Sequence, residues 1–390
     1  MFLDHASTTR VHKAFLDAIT AYASDCANPS SNHVEGLRIR NFMENYKKFI
    51  IKKVNEFYNT EFTHFILTSG ATESINTVFH AFYNDEQGAF CLTDDIEHKA
   101  TLESIEHWCN DKRYSNYKIF SYKNPEIPKI NSYRVLLSLM SVNNETGLIL
   151  YNDKLIDEIH DKSKAEQFFV HCDNTQGFMK TRLDLHKCDM MTFSGHKIGT
   201  FKGIGGIFLN DRSFKIIKRN PLLVGGNQQY GIRAGTENPV FIYALYHLIL
   251  ELGLDWGYEK NLLNAKLSKS NAKNALIELA KELNLELVFN EDPNFEHSPY
   301  ILNFAFKGIE GESILTMLTN DCLATTSACN SDSLNSSYVL KAMDVPSAIA
   351  NCALRMSFNN DNVTDVVSFI NGSLKDAISK LAQIRVRKTK

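Results

Sequence analysis

Seven short apolar runs, rich in β-branched and aromatic residues, punctuate the first two thirds of the chain: "HFIL" (64–67), "AFCLT" (89–93), "YKIFSY" (117–122), "RVLLSLMSV" (134–142), "QFFVHC" (167–172), "DMMTF" (189–193) and "IGGIFL" (204–209). Amphipathic stretches lie between them. Strand-length runs that alternate with helical segments predict a mostly parallel sheet with helical crossovers. From Leu254 the rhythm changes to long helical stretches such as "NAKLSKSNAKNALIELAKELN", followed by a smaller set of strands, "LELVFN", "YILNFAFKG" and "LRMSF". A second, smaller α/β domain is therefore expected.

The 390 residues, 44% of them hydrophobic, are ample for a core and long for one compact layer structure, which also favours two domains. A net charge of -3 gives no electrostatic case for nucleic acid or an anionic membrane as the main partner. No apolar run approaches the ~20 residues that span a bilayer, and "MFLDHASTTR" lacks the layout of a secretory leader, so a cytoplasmic protein is expected. Eight cysteines, at 26, 91, 109, 172, 188, 322, 329 and 352, form no CxxC pair and fit reduced thiols better than a disulfide framework. One is unusual: Cys329 lies in "TTSACNSD", among small polar residues of the kind that build exposed loops.

In such sheets ligands sit beyond the carboxyl ends of strands, so the residues that follow each run are the place to look for chemistry. After "HFIL" comes "TSGATES", where Ser69, Gly70, Ala71 and Thr72 form a small-residue turn opening a helix. It suits either an anion cradle made of backbone N–H groups or a plain capping turn. After "QFFVHC" come Asp173 and Gln176; an acid at a buried strand end needs a partner. After "DMMTF" come Ser194, His196 and Lys197 in "SGHKIGTFKGIGG". This glycine-rich stretch lacks the phosphate-loop pattern and enters a strand, which speaks against a nucleotide loop. His171, Cys172, Asp173, His186 and Cys188 are zinc-type residues, but their spacing matches no structural zinc pattern. An anion cradle, an acid and a lysine at successive strand ends are together the parts that hold pyridoxal phosphate: phosphate anchor, partner for the ring nitrogen, and tethering amine.

The order "FLDHASTT", "NPSSNHVEG", "TSGATES", "EHKA", "VNNETG", "DNTQG", "SGHKIGTFKG", "GIRAGTEN", "TTSACNS" and "LRMSF" resembles the pyridoxal-phosphate-dependent cysteine desulfurases of the class V aminotransferase group. The resemblance runs nearly end to end. It implies a fold-type I homodimer with a large domain on a seven-stranded, mostly parallel sheet (15–252), a small C-terminal domain (253–390) and an N-terminal arm (1–14) associated with the small one. It implies Lys197 as the cofactor-tethering lysine, Asp173 as the ring-nitrogen partner and His98 as the histidine that stacks on the ring and moves protons. Gln176 and Asn144 resemble the polar groups near the ring hydroxyl and substrate. Ala71, Thr72, Ser194 and His196 match the phosphate set, with Thr236 supplied by the other subunit. Arg355 resembles the arginine that clamps the substrate carboxylate.

The activity so implied converts L-cysteine to L-alanine and carries the sulfur as a persulfide on Cys329 to an acceptor protein, for iron–sulfur cluster assembly or thiolation. A free loop over 326–336 would let Cys329 travel roughly 15 Å, and its neighbours are expected to be poorly ordered without substrate. A selenocysteine lyase or related class V enzyme is the alternative within the same scaffold. A catalytically silent sulfur-assembly partner is the alternative outside catalysis. The sequence departs from the family pattern in "DHASTT" (usually DNNATT), in "GTFKG" (usually GPKG), and at Asn359, where glycine is usual.

Overall fold

A computed structural model describes residues 1–85, 88–109, 116–130, 132–253, 255–325, 337–359, 363 and 365–388. Its contacts divide the chain into two compact units: Thr9–Ser141 with Leu150–Tyr258, and Met1–Thr8 with Val142–Ile149 and Glu259–Lys390. Cys329 and the rest of 326–336 lie outside the described residues.

The larger unit contains strands β1 (His64–Thr68), β2 (Phe90–Asp94), β3 (Tyr117–Phe120), β4 (Arg134–Met140), β5 (Gln167–Asp173), β6 (Met190–Ser194) and β7 (Gly205–Leu209). Helices α1 (Lys13–Tyr22), α2 (Val34–Tyr58), α3 (Ala71–Asn84), α4 (Lys99–Cys109), α5 (Asp153–Ser163), α6 (Asp211–Arg219) and α7 (Pro239–Gly253) accompany them. All seven apolar runs of the sequence are strands of one sheet, in the order β1-β7-β6-β5-β4-β2-β3. Only β7 runs against its neighbours β1 and β6; the pairs from β6 across to β3 are parallel. The expected mostly parallel, seven-stranded arrangement holds. Every residue of β4 is buried, as befits a central strand covered on both faces. Ile75, Val78, Phe79 and Phe82 of α3 pack with Ile66, Leu136, Phe169 and Ile207 of the sheet into one core.

The smaller unit has an antiparallel sheet, β10-β11-β9-β8, built from β8 (Leu287–Phe289), β9 (Ile301–Phe306), β10 (Ala324–Thr325) and β11 (Ala353–Ser357). The C-terminal part of α8 (Asp255–Leu283) packs on it, with Leu276 and Leu279 in one core with Leu302, Phe304, Phe306, Leu354 and Met356. The first residues of the chain join this unit: Asp4 bridges to Ser357, and Leu3 is a fully buried member of its core.

Candidate active site

In the larger unit the topology brings the carboxyl ends of β1, β2, β4, β5 and β6 to one sheet edge, ending at Thr68, Asp94, Met140, Asp173 and Ser194. At its β1 end, Gly70 stands before α3 with no side chain to cap the first turn. A Cβ at Gly70 would lie 3.5 Å from Ser194 Oγ. The Ser194 hydroxyl therefore lies beside the opening of α3, which begins with buried Ala71 and exposed Thr72. Glu73 turns back to accept from Ser69 N (2.8 Å), so part of the capping reading is also present.

Asp173 ends β5 and is 4% exposed. One oxygen, Oδ1, accepts from Thr175 N (3.0 Å) and Thr175 Oγ1 (2.5 Å), which fixes the carboxylate. His98 precedes α4 and accepts from Ala100 N through Nδ1 (3.0 Å). That bond places the proton of the neutral ring on Nε2. Burial lowers the His98 pKa, the nearby Asp173 carboxylate works against that shift, and Lys197 adds to it. Asp173 and Lys197 thus both lie within electrostatic reach of His98. Gln176 is buried three residues beyond Asp173.

Two acids that the sequence reading passed over lie beside this group. Asp94, 1% exposed, receives Ile96 N on Oδ1 (3.0 Å), while Oδ2 has no hydrogen-bond partner among the described residues. Burial pushes its pKa up to about 7. Glu97 is fully buried; burial, then Asp94, then Asp173 drive its carboxyl well above the usual range. The run "DDIEHKA" carried the signal, three acids directly before His98. In the usual carboxylate range the unfolded chain releases protons that folded Asp94 keeps. Its stabilising contribution is therefore full below about pH 4 and lost as pH rises through about 7. The urea midpoint of Asp94→Asn is expected to gain on that of the parent from pH 5 up to about pH 7 and to level off above it; a constant difference from pH 5 to pH 7 would contradict it.

Lys197 closes a short 3-10 turn, Gly195–Lys197, directly after β6. Around it the charge is one-sided. Burial, with Lys197 next, pulls Lys180 down to about 7, and burial with Lys197, Lys202 and Lys180 holds His196 near 4. Among the described residues no carboxylate is ion-paired with Lys180 or Lys202. A cluster of nitrogen donors beside a hydroxyl and a helix N-terminus is a donor set for a dianion. With Asp173 and Lys197 alongside, the residues fit pyridoxal phosphate. His171 and Cys172, by contrast, are accounted for by packing: His171 sits between the hydroxyls of Ser138 (2.8 Å) and Thr192 (3.0 Å).

In the smaller unit Arg355, on β11, is 4% exposed. Its Nη1 donates to Asn144 O (2.8 Å), and its Nη2 donates to Asp4 Oδ1 (2.6 Å) and Ser7 Oγ (2.7 Å). Arg355 Nε and Asn144 Oδ1 are buried without partners among the described residues. Orphaned buried groups cost about 1–3 kcal/mol each, so this pair is ready for a ligand that supplies an acceptor and a donor. An amino acid has both. Thr236 is exposed in the larger unit and lines a hollow of about 130 Å³ with Thr68 and Ser69. Among the described residues no group of His, Cys, Asp and Glu is arranged to hold a metal ion.

Residues 1–369 match the model of the family described as aminotransferase class-V. The chain is 30% identical over 404 residues to the cysteine desulfurase IscS of Buchnera aphidicola subsp. Baizongia pistaciae, covering 98% of this chain and 94% of that protein. It is 28% identical over 408 residues to the protein of the same name from Ehrlichia chaffeensis, covering 98% and 92%. Among solved structures, a NifS-like protein from Rickettsia africae superposes with a TM-score of 0.76 at 23% identity, covering 97% of this chain and 99% of that one. DndA from Streptomyces lividans superposes with a TM-score of 0.67 at 27% identity, covering 92% and 99%.

Proposed function

Because the chain belongs to the class V aminotransferase family and, within it, to the cysteine desulfurases, whose members are pyridoxal-phosphate enzymes, we propose that it takes sulfur from L-cysteine, leaves L-alanine and holds the sulfur as a persulfide on Cys329. The observation that carries this reading is the placement of Lys197, His98 and a fixed Asp173 at one sheet edge, with the Ser194 hydroxyl beside the start of α3. When bound there, pyridoxal phosphate supplies an electron sink for the substrate's α carbon.

The chain's own residues do the rest. Asp173 would partner the ring nitrogen, and Ser194, Thr72, His196 and the first N–H groups of α3 would hold the phosphate. Thr236 reaches the phosphate of a second copy of the chain. Lys197 tethers the cofactor and carries protons at the substrate's α carbon. His98, neutral with its hydrogen on Nε2, stacks and passes a proton. Arg355 takes the substrate carboxylate and Asn144 steadies its polar groups. The Cys329 thiolate attacks the substrate sulfur: the S–S bond forms, the carbon–sulfur bond breaks, and its electrons remain with the carbon, which takes a proton to become the methyl group of alanine. The persulfide then passes to a sulfur-acceptor protein.

Mass spectrometry of the cofactor-loaded protein after incubation with L-cysteine tests this. One added sulfur is expected on Cys329, and none in Cys329→Ala, which should also stop sulfide release in the absence of added thiol. Sulfide release by Cys329→Ala at the parental rate would overturn the persulfide route.

A further inference from the structure

Arg355 does not wait for a carboxylate with its fork open. A guanidinium presents two parallel pairs of N–H bonds, Nε with Nη2 and Nη1 with Nη2, and both pairs include Nη2. Here Nη2 is already held by two oxygens, Asp4 Oδ1 at 2.6 Å and Ser7 Oγ at 2.7 Å. Ser7 in turn donates from Oγ to Asp4 Oδ1 (2.9 Å), closing a triangle. Nε, the other half of one fork, is buried and has no partner among the described residues. A two-bond grip on a carboxylate must therefore disturb one of the oxygens at Nη2.

The two are not equally easy to move. Asp4 is an ion-pair partner of Arg355, and its main chain is pinned: Asp4 bridges to Ser357, and Asp4 O accepts Ser7 N (3.1 Å) and Thr8 N (3.3 Å). Ser7 is exposed, neutral, and joined to Arg355 by a hydroxyl that can swing about one torsion. It also falls in "DHASTT", where the sequence departs from the family's usual pattern.

We propose that Ser7 is a specificity-determining residue whose hydroxyl occupies the Arg355 edge that the substrate carboxylate needs, so that binding must displace it. This rests on the reading of Arg355 as the carboxylate clamp. Ser7 keeps the clamp oriented while empty and lowers affinity for any carboxylate that gains only one bond. A ligand able to take Nε and Nη2 together recovers the orphaned Nε donor and displaces Ser7.

The test uses the cofactor-loaded full chain and its Ser7→Ala variant, with calorimetric titration of L-alanine, which has the carboxylate, and of L-alaninamide, which lacks it. Removing one competing hydrogen bond is expected to tighten L-alanine about five- to tenfold and to leave L-alaninamide unchanged. The KM for L-cysteine should fall by a similar factor, with kcat within about twofold. Unchanged or weaker L-alanine binding, or an equal gain for the amide, overturns the proposal while the clamp stands. Arg355→Gln separates the two levels: if it leaves L-alanine affinity at the parental value, the clamp reading itself fails and Ser7's role falls with it.

Discussion

Lys197→Ala is expected to cut alanine formation from cysteine by at least ~10³-fold, because one amine is asked both to tether the cofactor and to carry protons at the reacting carbon. The fold should survive. The turn that presents Lys197 is held by main-chain bonds, Ile198 N to Gly195 O (2.9 Å), Thr200 N to Gly195 O (3.1 Å) and Thr9 N to His196 O (3.0 Å), none of which involves the lysine side chain. Gly199 and Gly203 supply left-handed residues, with φ of 104° and 84°, so "GTFKG" keeps its bends although the family's proline is missing. Removing Lys197 also removes an ammonium that lowers both Lys180 and His196, so both should become easier to protonate and the urea midpoint should not drop.

Lys180 makes the experiment decisive. It is a second amine near Lys197, and at about 7 a good fraction of it is neutral at working pH. Borohydride reduction followed by peptide mapping should fix the cofactor on Lys197 in the parent and nowhere in the variant. Cofactor trapped on Lys180 in the parent, or turnover within tenfold of parental in Lys197→Ala, would move the chemistry to a different lysine.

The main sheet was legible in the sequence because each strand is a compact apolar run bounded by turn residues, and burial on both faces leaves that signature undiluted. β10, Ala324–Thr325, is two residues long and too short to carry a period. The strand-end rule likewise located Asp173, Ser194 and Lys197 one by one. It could not say that Arg355 bonds Asn144 O across 211 positions or Asp4 across 351; such pairings follow from sheet assembly, which no local pattern records. Asp94 and Glu97 were missed for a different reason. Acidic residues before a helix look like ordinary helix-start chemistry, and only burial turns them into proton holders.

Those two acids sharpen what Asp173→Asn should do. Three carboxyl groups, Asp94, Glu97 and Asp173, crowd one buried region, and the environment separates their roles: Asp94 and Glu97 are pushed toward the neutral form, while Asp173 has two donors from Thr175 fixed on Oδ1. Asparagine at 173 has nearly the same shape and its oxygen can keep the Thr175 bonds, but it offers no charge to a protonated ring nitrogen. Turnover is expected to fall about 10²–10³-fold, the scale of losing one preorganised electrostatic partner. Stability should move the other way: repulsion of Glu97 by Asp173 disappears, so the urea midpoint stays level or rises, and Glu97 should ionise more readily. Measuring alanine formation and the urea midpoint on the same preparation checks both signs. A variant that loses stability in step with activity would make Asp173 a structural acid, and one that keeps parental turnover would remove it from the site.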